Sequence, residues 1–156
     1  MSTLPGDARA PASLWHRWLV LLLRLASAVM AFSLTGVLMP RSAMDAIHNW
    51  LGLGELPKAP VVEYLARTLA LMYAMQSGLA WVISTDVWRF LPILNYVICF
   101  GFICTFGIPV ICRLAGMPWS WVFGDGLSML LLNVLLLFLK IKMEKEERPE
   151  KQRPAG

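Results

Sequence analysis

LSMLLLNVLLLFLK, residues 127–140, stays apolar past two small polar residues, Ser128 and Asn133, and stops abruptly at Lys140. With the residues from Trp119 onward it makes an apolar segment over 119–139. At about 1.5 Å per helical residue, such a segment matches the roughly 30 Å of bilayer hydrocarbon. Composition extends the reading to the whole chain. Of its 156 residues 58% are hydrophobic and 15% charged, against about a quarter charged in soluble domains. A soluble core of this size cannot hide that much apolar side chain, whereas apolar surface facing lipid costs nothing.

Three more segments fit the same mould. The first covers 18–39, with LVLLLRLASAVMAFSLTGVLM at its heart and a single charge, Arg24. It continues past the length of a cleavable signal, and Arg24 would fall inside the apolar region of one, so it reads as a retained anchor. The second, 64–84, is less apolar and holds Arg67, Thr68, Gln76 and Ser77. Ala66, Ala70, Ala74 and Gly78 recur there every four residues. That strip suits close approach of another backbone, as a packing seam or a dimerisation face. The third, 91–112, opens with Pro92 in its first turn and carries Gly107 and Pro109 near its far end, where a bend is predicted. The expected fold is therefore all-α, a four-helix transmembrane bundle. Residues 1–16 read as a flexible leader, 17–140 as the transmembrane domain, and 141–156 as a charged cytoplasmic tail whose mixed charge predicts disorder.

Basic residues orient the bundle. Arg9, Arg17, Arg89 and six tail residues flank the side that holds both termini, and Arg24 joins them by snorkelling. Arg41, Lys58, Arg67 and Arg113 lie on the other side. Ten against four places both termini in the cytoplasm, and the tryptophans gather near span ends. This arrangement also accounts for the net charge of +4 without nucleic acid.

The loop after the first span, PRSAMDAIHNWLGLGELPKAP, is the longest. Ser42 and Asp45 have the spacing of a helix cap. Met44, Ile47, His48 and Leu51 then fall on one helical face, and Gly52 and Gly54 follow as stop signals. The spacing predicts a short interfacial helix over 42–51 between spans one and two, with His48 and Trp50 as its candidate contacts. It reads as a structural lid or as the mouth of a binding cavity.

Four ionisable residues are expected at one depth on the outer side: Glu63 and Arg67 opening span two, Arg113 closing span three, and Asp125 inside span four. An Asp facing hydrocarbon needs a partner, which Arg67 or Arg113 can supply. The cluster reads either as an ion-pair clasp between spans or as a site where an Arg meets an anionic ligand. Arg24 points toward cytoplasmic water with Asp86 as its partner, and Asn133 is placed to hydrogen-bond between helices. Cys99, Cys104 and Cys112 show neither disulfide nor metal spacing and read as packing residues, so no metal and no cofactor are expected. Signatures of hydrolases, metalloproteases, nucleotide-binding loops and haem attachment are missing from the sequence.

Pro40, the WLGLG motif at 50–54, YLARTLALMYAMQSG at 64–78 and RLAGMPWSWVFGDG at 113–126 resemble small bacterial four-helix inner-membrane proteins of DoxX-like layout. The resemblance implies a four-helix bundle of the inner membrane, and it carries over the fold but no activity. Two functions follow as expectations. One is an accessory or scaffold protein that acts by helix packing with itself or with a membrane-protein partner. The other is a binding protein or carrier for a lipid-like or quinone-like ligand at the outer polar cluster. An intramembrane enzyme lacks a nucleophile or metal set, and the bilayer is the one partner that every reading shares.

Overall fold

The computed structural model describes residues 13–151, with side chains through Glu147. Residues 1–12 of the expected leader and 152–156 of the expected tail lie outside the described residues. All regular structure among the described residues is α-helical: α1 (Leu14–Phe32), α2 (Leu34–Leu38), α3 (Arg41–Trp50), α4 (Pro60–Thr85), α5 (Leu91–Leu114) and α6 (Trp119–Lys151). Three segments are long and apolar enough to cross a membrane: Leu14–Leu38, which joins α1 and α2 through Ser33, Leu91–Leu114, and Trp119–Glu147. The expected second span corresponds to α4. Its 26 residues are ample in length, but its polar content sets it apart from those three.

The chain divides into two compact units, Leu23–Asp86 and the pair of stretches Met1–Leu22 and Val87–Gly156. In the Leu23–Asp86 unit, the second half of α1 and all of α2 run antiparallel to α4. Ser27, buried at 3% exposure, donates its hydroxyl to Ser77 O at 2.9 Å; Ser77, at 6%, donates to Ser27 O at 2.8 Å. Further along, the Ser33 hydroxyl shares its hydrogen between Met30 O at 2.6 Å and Ala70 O at 2.9 Å. A Cβ on Gly36 would come within 3.3 Å of the Ala70 Cβ, so glycine sets the approach of α2 to α4. The seam on α4 therefore follows Arg67, Ala70 and Ser77, with Ala74 half-buried beside them. Ala66 and Gly78, the ends of the expected strip, are exposed. Steps of four residues advance about 40° around the helix each time and walk off the contact face, while alternating steps of three and four stay on it.

Helix α3 begins at Arg41, behind extended Pro40, with no side-chain cap. Ser42 is thus already inside the helix, and the expected cap with Asp45 does not form. Asp45 instead accepts the Leu56 N–H at 2.8 Å. The helix closes on Gly52 at φ 76°. Leu53 N–H reaches His48 O at 3.1 Å and Gly52 N–H reaches Asn49 O at 3.0 Å, a left-handed stop that only glycine adopts without strain. Helix α5 ends in the same way on Gly116, and Pro118 follows to prevent continuation.

In the other unit, α5 packs against α6. Where the helices meet, a Cβ on Gly101 would overlap the Asn133 carboxamide, lying 2.8 Å from its Cγ. Another on Gly126 would sit 3.0 Å from Pro109 Cγ. The buried core of this unit is Leu19, Val87, Leu94, Ile98, Val122, Leu136, Leu139 and Met143. Met143 shows that the charged tail is folded at least this far. It is fully buried, although it is the third residue of the stretch 141–156 expected to be disordered. Helix α6 runs on to Lys151 because its charged residues are good helix formers and Lys140 pairs with Glu144 one turn on, at 3.4 Å.

Candidate functional site

Arg67 is the centre of the part of the expected cluster that lies within the Leu23–Asp86 unit. It projects from the second turn of α4 toward the end of α2, where the last helical carbonyls have no partners of their own. Its Nη1 donates to Val37 O and its Nη2 to Met39 O at 3.1 Å, so the guanidinium caps α2. The same fork holds Glu63, one turn back on α4, with Nη2 at 2.7 Å and Nε at 3.2 Å from Oε1. Arg41, at the start of α3, reaches the other carboxylate oxygen at 3.6 Å and donates to Pro57 O at 2.8 Å. One carboxylate thus bridges two guanidinium groups, and together they tie α2, α3, the loop at 57 and α4. The Arg67 hydrogen bond, against some desolvation, holds the Glu63 carboxyl below its ordinary value of 4.5.

The other two members of the expected cluster lie in the other unit. Arg113 sits with its guanidinium 4.2 Å from the centroid of the Trp119 ring, across the α5–α6 turn. Asp125 is half-buried on α6, and its backbone carbonyl accepts the Ser128 hydroxyl at 3.1 Å. Among the described residues neither Arg113 nor Asp125 forms an ion pair, so the Arg113–Asp125 pairing open to the sequence is replaced by a cation–aromatic contact. His48 Nδ1 lies 2.7 Å from Gly54 O and closes the loop behind α3. Trp50 is 84% exposed. Arg24 lies 5.4 Å from the Trp81 centroid. Asn133 bonds within its own helix, Nδ2 to Met129 O at 2.9 Å, while its carboxamide fills the space left by Gly101.

Sequence reasoning missed a second polar centre. Glu147 accepts the Trp88 indole N–H at 2.6 Å and the Ser13 backbone N–H at 3.1 Å, and His16 Nδ1 lies 3.2 Å from the carboxylate. Trp15 donates its indole N–H to the neighbouring Glu146 at 2.8 Å. The signal was present but faint: Ser13 stands where a helix N-cap belongs, and its hydroxyl accepts the His16 N–H at 3.2 Å. Among the described residues no group of histidine, cysteine or acidic side chains is arranged to hold a metal ion. Comparison of the chain with protein-family models, with curated proteins and with solved structures finds no match.

Proposed function

We propose that this chain is a small multi-pass protein of the bacterial inner membrane, working as an accessory or scaffold protein through helix packing with itself or with a membrane partner. In this reading α4 is the fourth span, both termini are cytoplasmic, and α3 lies in the outer interface. The observation that carries the functional reading is the commitment of Arg67. Its donors go to Glu63 and to the carbonyls of Val37 and Met39 at the end of α2, which leaves the outer cluster acting as a clasp. A carrier of an anionic or quinone-like ligand needs that guanidinium free.

Support for α4 as a span comes from its company. It is hydrogen-bonded at Ser77 and Ala70 to Ser27 and Ser33 of a segment that is itself membrane-competent. A helix joined at those points shares the depth of its neighbour. Its outward side is apolar, with Leu65, Leu69, Met72, Met75 and Leu79 exposed, as contact with lipid demands. For α3, exposed Ile47, Trp50 and Leu51 directly follow the end of the first segment, the pattern of an in-plane helix.

Parity makes the topology testable. Four spans put Ser42 and the tail on opposite faces with both termini inside. Single cysteines at Ser42 and at Lys145, on a background without Cys99, Cys104 and Cys112, are expected to label from outside and only after permeabilisation, respectively. Tail labelling in intact cells would return α4 to a non-spanning role. Native mass spectrometry of the protein extracted with its surroundings tests the role itself. A second copy or a protein partner is the expected companion, and a stoichiometric small ligand would favour the carrier.

A further inference from the structure

On α6 just beyond the apolar run, two lysines are treated differently. Lys140 has the acid one turn ahead, Glu144, and pairs with it at 3.4 Å. Lys142 has the same option in Glu146, also one turn ahead. That carboxylate is instead turned to the Trp15 indole N–H at 2.8 Å. Lys142 is left with its ammonium 5.6 Å from the Trp15 ring and 5.6 Å from the Phe138 ring, and with no carboxylate among the described residues. The two rings form a fixed step, edge to face at 5.7 Å and 89°. An exposed ammonium thus stands on an aromatic platform with its natural counter-ion drawn away.

Its depth and flanks indicate what neutralises it. Lys142 lies three residues, about 4.5 Å, past the last apolar residue of the run, Leu139, at the level of headgroups. Below the step, two apolar stripes are exposed: Leu14, Trp18 and Leu21 on α1, and Leu131, Leu135 and Phe138 on α6. Such stripes accommodate acyl chains, while the ammonium on its aromatic step matches a phosphate. We propose that Lys142, seated on Trp15 and Phe138, binds the phosphate of an anionic phospholipid whose chains lie along α1 and α6. The proposal rests on α1 and α6 being membrane-spanning and is indifferent to which face is cytoplasmic.

The test is native mass spectrometry of the delipidated full chain, offered phosphatidylglycerol and phosphatidylcholine in equal amounts. The wild type is expected to retain one phosphatidylglycerol in preference. Lys142→Gln is expected to lower that retention about fivefold, whereas Lys145→Gln leaves it unchanged. Trp15→Phe keeps an aromatic ring but releases Glu146 to pair with Lys142, so retention falls; adding Glu146→Gln restores it. Equal retention of both lipids by the wild type overturns the proposal, as does an unchanged Lys142→Gln or an equal loss in Lys145→Gln. Displacement of the lipid by millimolar inorganic phosphate would assign the site to a free anion and also overturn it. Should Lys142→Gln lose helicity, the Trp15→Phe and Glu146→Gln pair decides, since failure to restore retention rejects the mechanism. Carbonate-resistant membrane retention of the same protein, read separately, isolates failure of the lipid site from failure of the membrane reading.

Discussion

The two helix pairings of this chain use different materials. Along α1, α2 and α4 the contact is polar and directional: Ser27 and Ser77 exchange hydrogen bonds, Ser33 reaches Ala70 O, and Arg67 caps α2. Along α5 and α6 the contact is steric: Gly101 admits Asn133 and Gly126 admits Pro109. In a membrane, water does not drive helices together, so close packing and interhelical hydrogen bonds are the available means. Packing at a glycine is intolerant of any added atom. A hydrogen-bonded seam loses one bond at a time, and the remaining bonds keep its register.

The comparison implies an order of damage. Gly101→Leu should be the most harmful change, because its first side-chain atom already meets Asn133. A loss of about 3 kcal/mol is expected, read as earlier unfolding of detergent-solubilised protein. If Gly101→Leu were silent, the steric account of the α5–α6 pairing would fail. Arg67→Gln comes next. Leaving the α2 carbonyls uncapped should cost about 1 kcal/mol, and faster proteolysis after Met39 would report the loosened end. Ser27→Ala and Ser77→Ala should each cost less. Their double-mutant cycle should show coupling of about 0.6 kcal/mol, and strict additivity would deny that the two hydroxyls act together.

The smallest effect is expected from acid. Glu63 is held below its ordinary carboxyl value by Arg67, so its contribution is present above pH 4.5 and lost as pH falls through the lowered value. Melting between pH 8 and pH 5.5 should therefore be insensitive to Glu63→Gln in its pH dependence. Below about pH 4.5 the wild type should approach the variant. A gap between them that widens in acid would reverse the assigned sign.

Local signals in the sequence located the helices approximately, with ends displaced on α4 and α6. Pro92 in a first turn and Gly52 past an end act on neighbouring backbone and mark boundaries without knowledge of the fold. The partnership of Glu63 with Arg67 was equally local, one helical turn apart. Arg41 was not chosen as a partner, because its approach depends on how the 42–59 loop returns. The Glu147 contacts cross 59 and 131 positions of sequence, and no spacing rule reaches that far. The charged tail misled for a related reason: its composition resembles disorder, but one apolar residue, Met143, is fully buried. The seam on α4 was found by residue size and misdrawn by period.

The Glu147 junction bears on how the protein is made. His16 belongs to α1, and the carboxylate it faces is synthesised 131 residues later. Trp88 and the start of α1 therefore meet this carboxylate only once α6 has been made. Closure of that junction is a late step of folding, one that a nascent chain halted at Leu139 would lack while keeping its apolar segments.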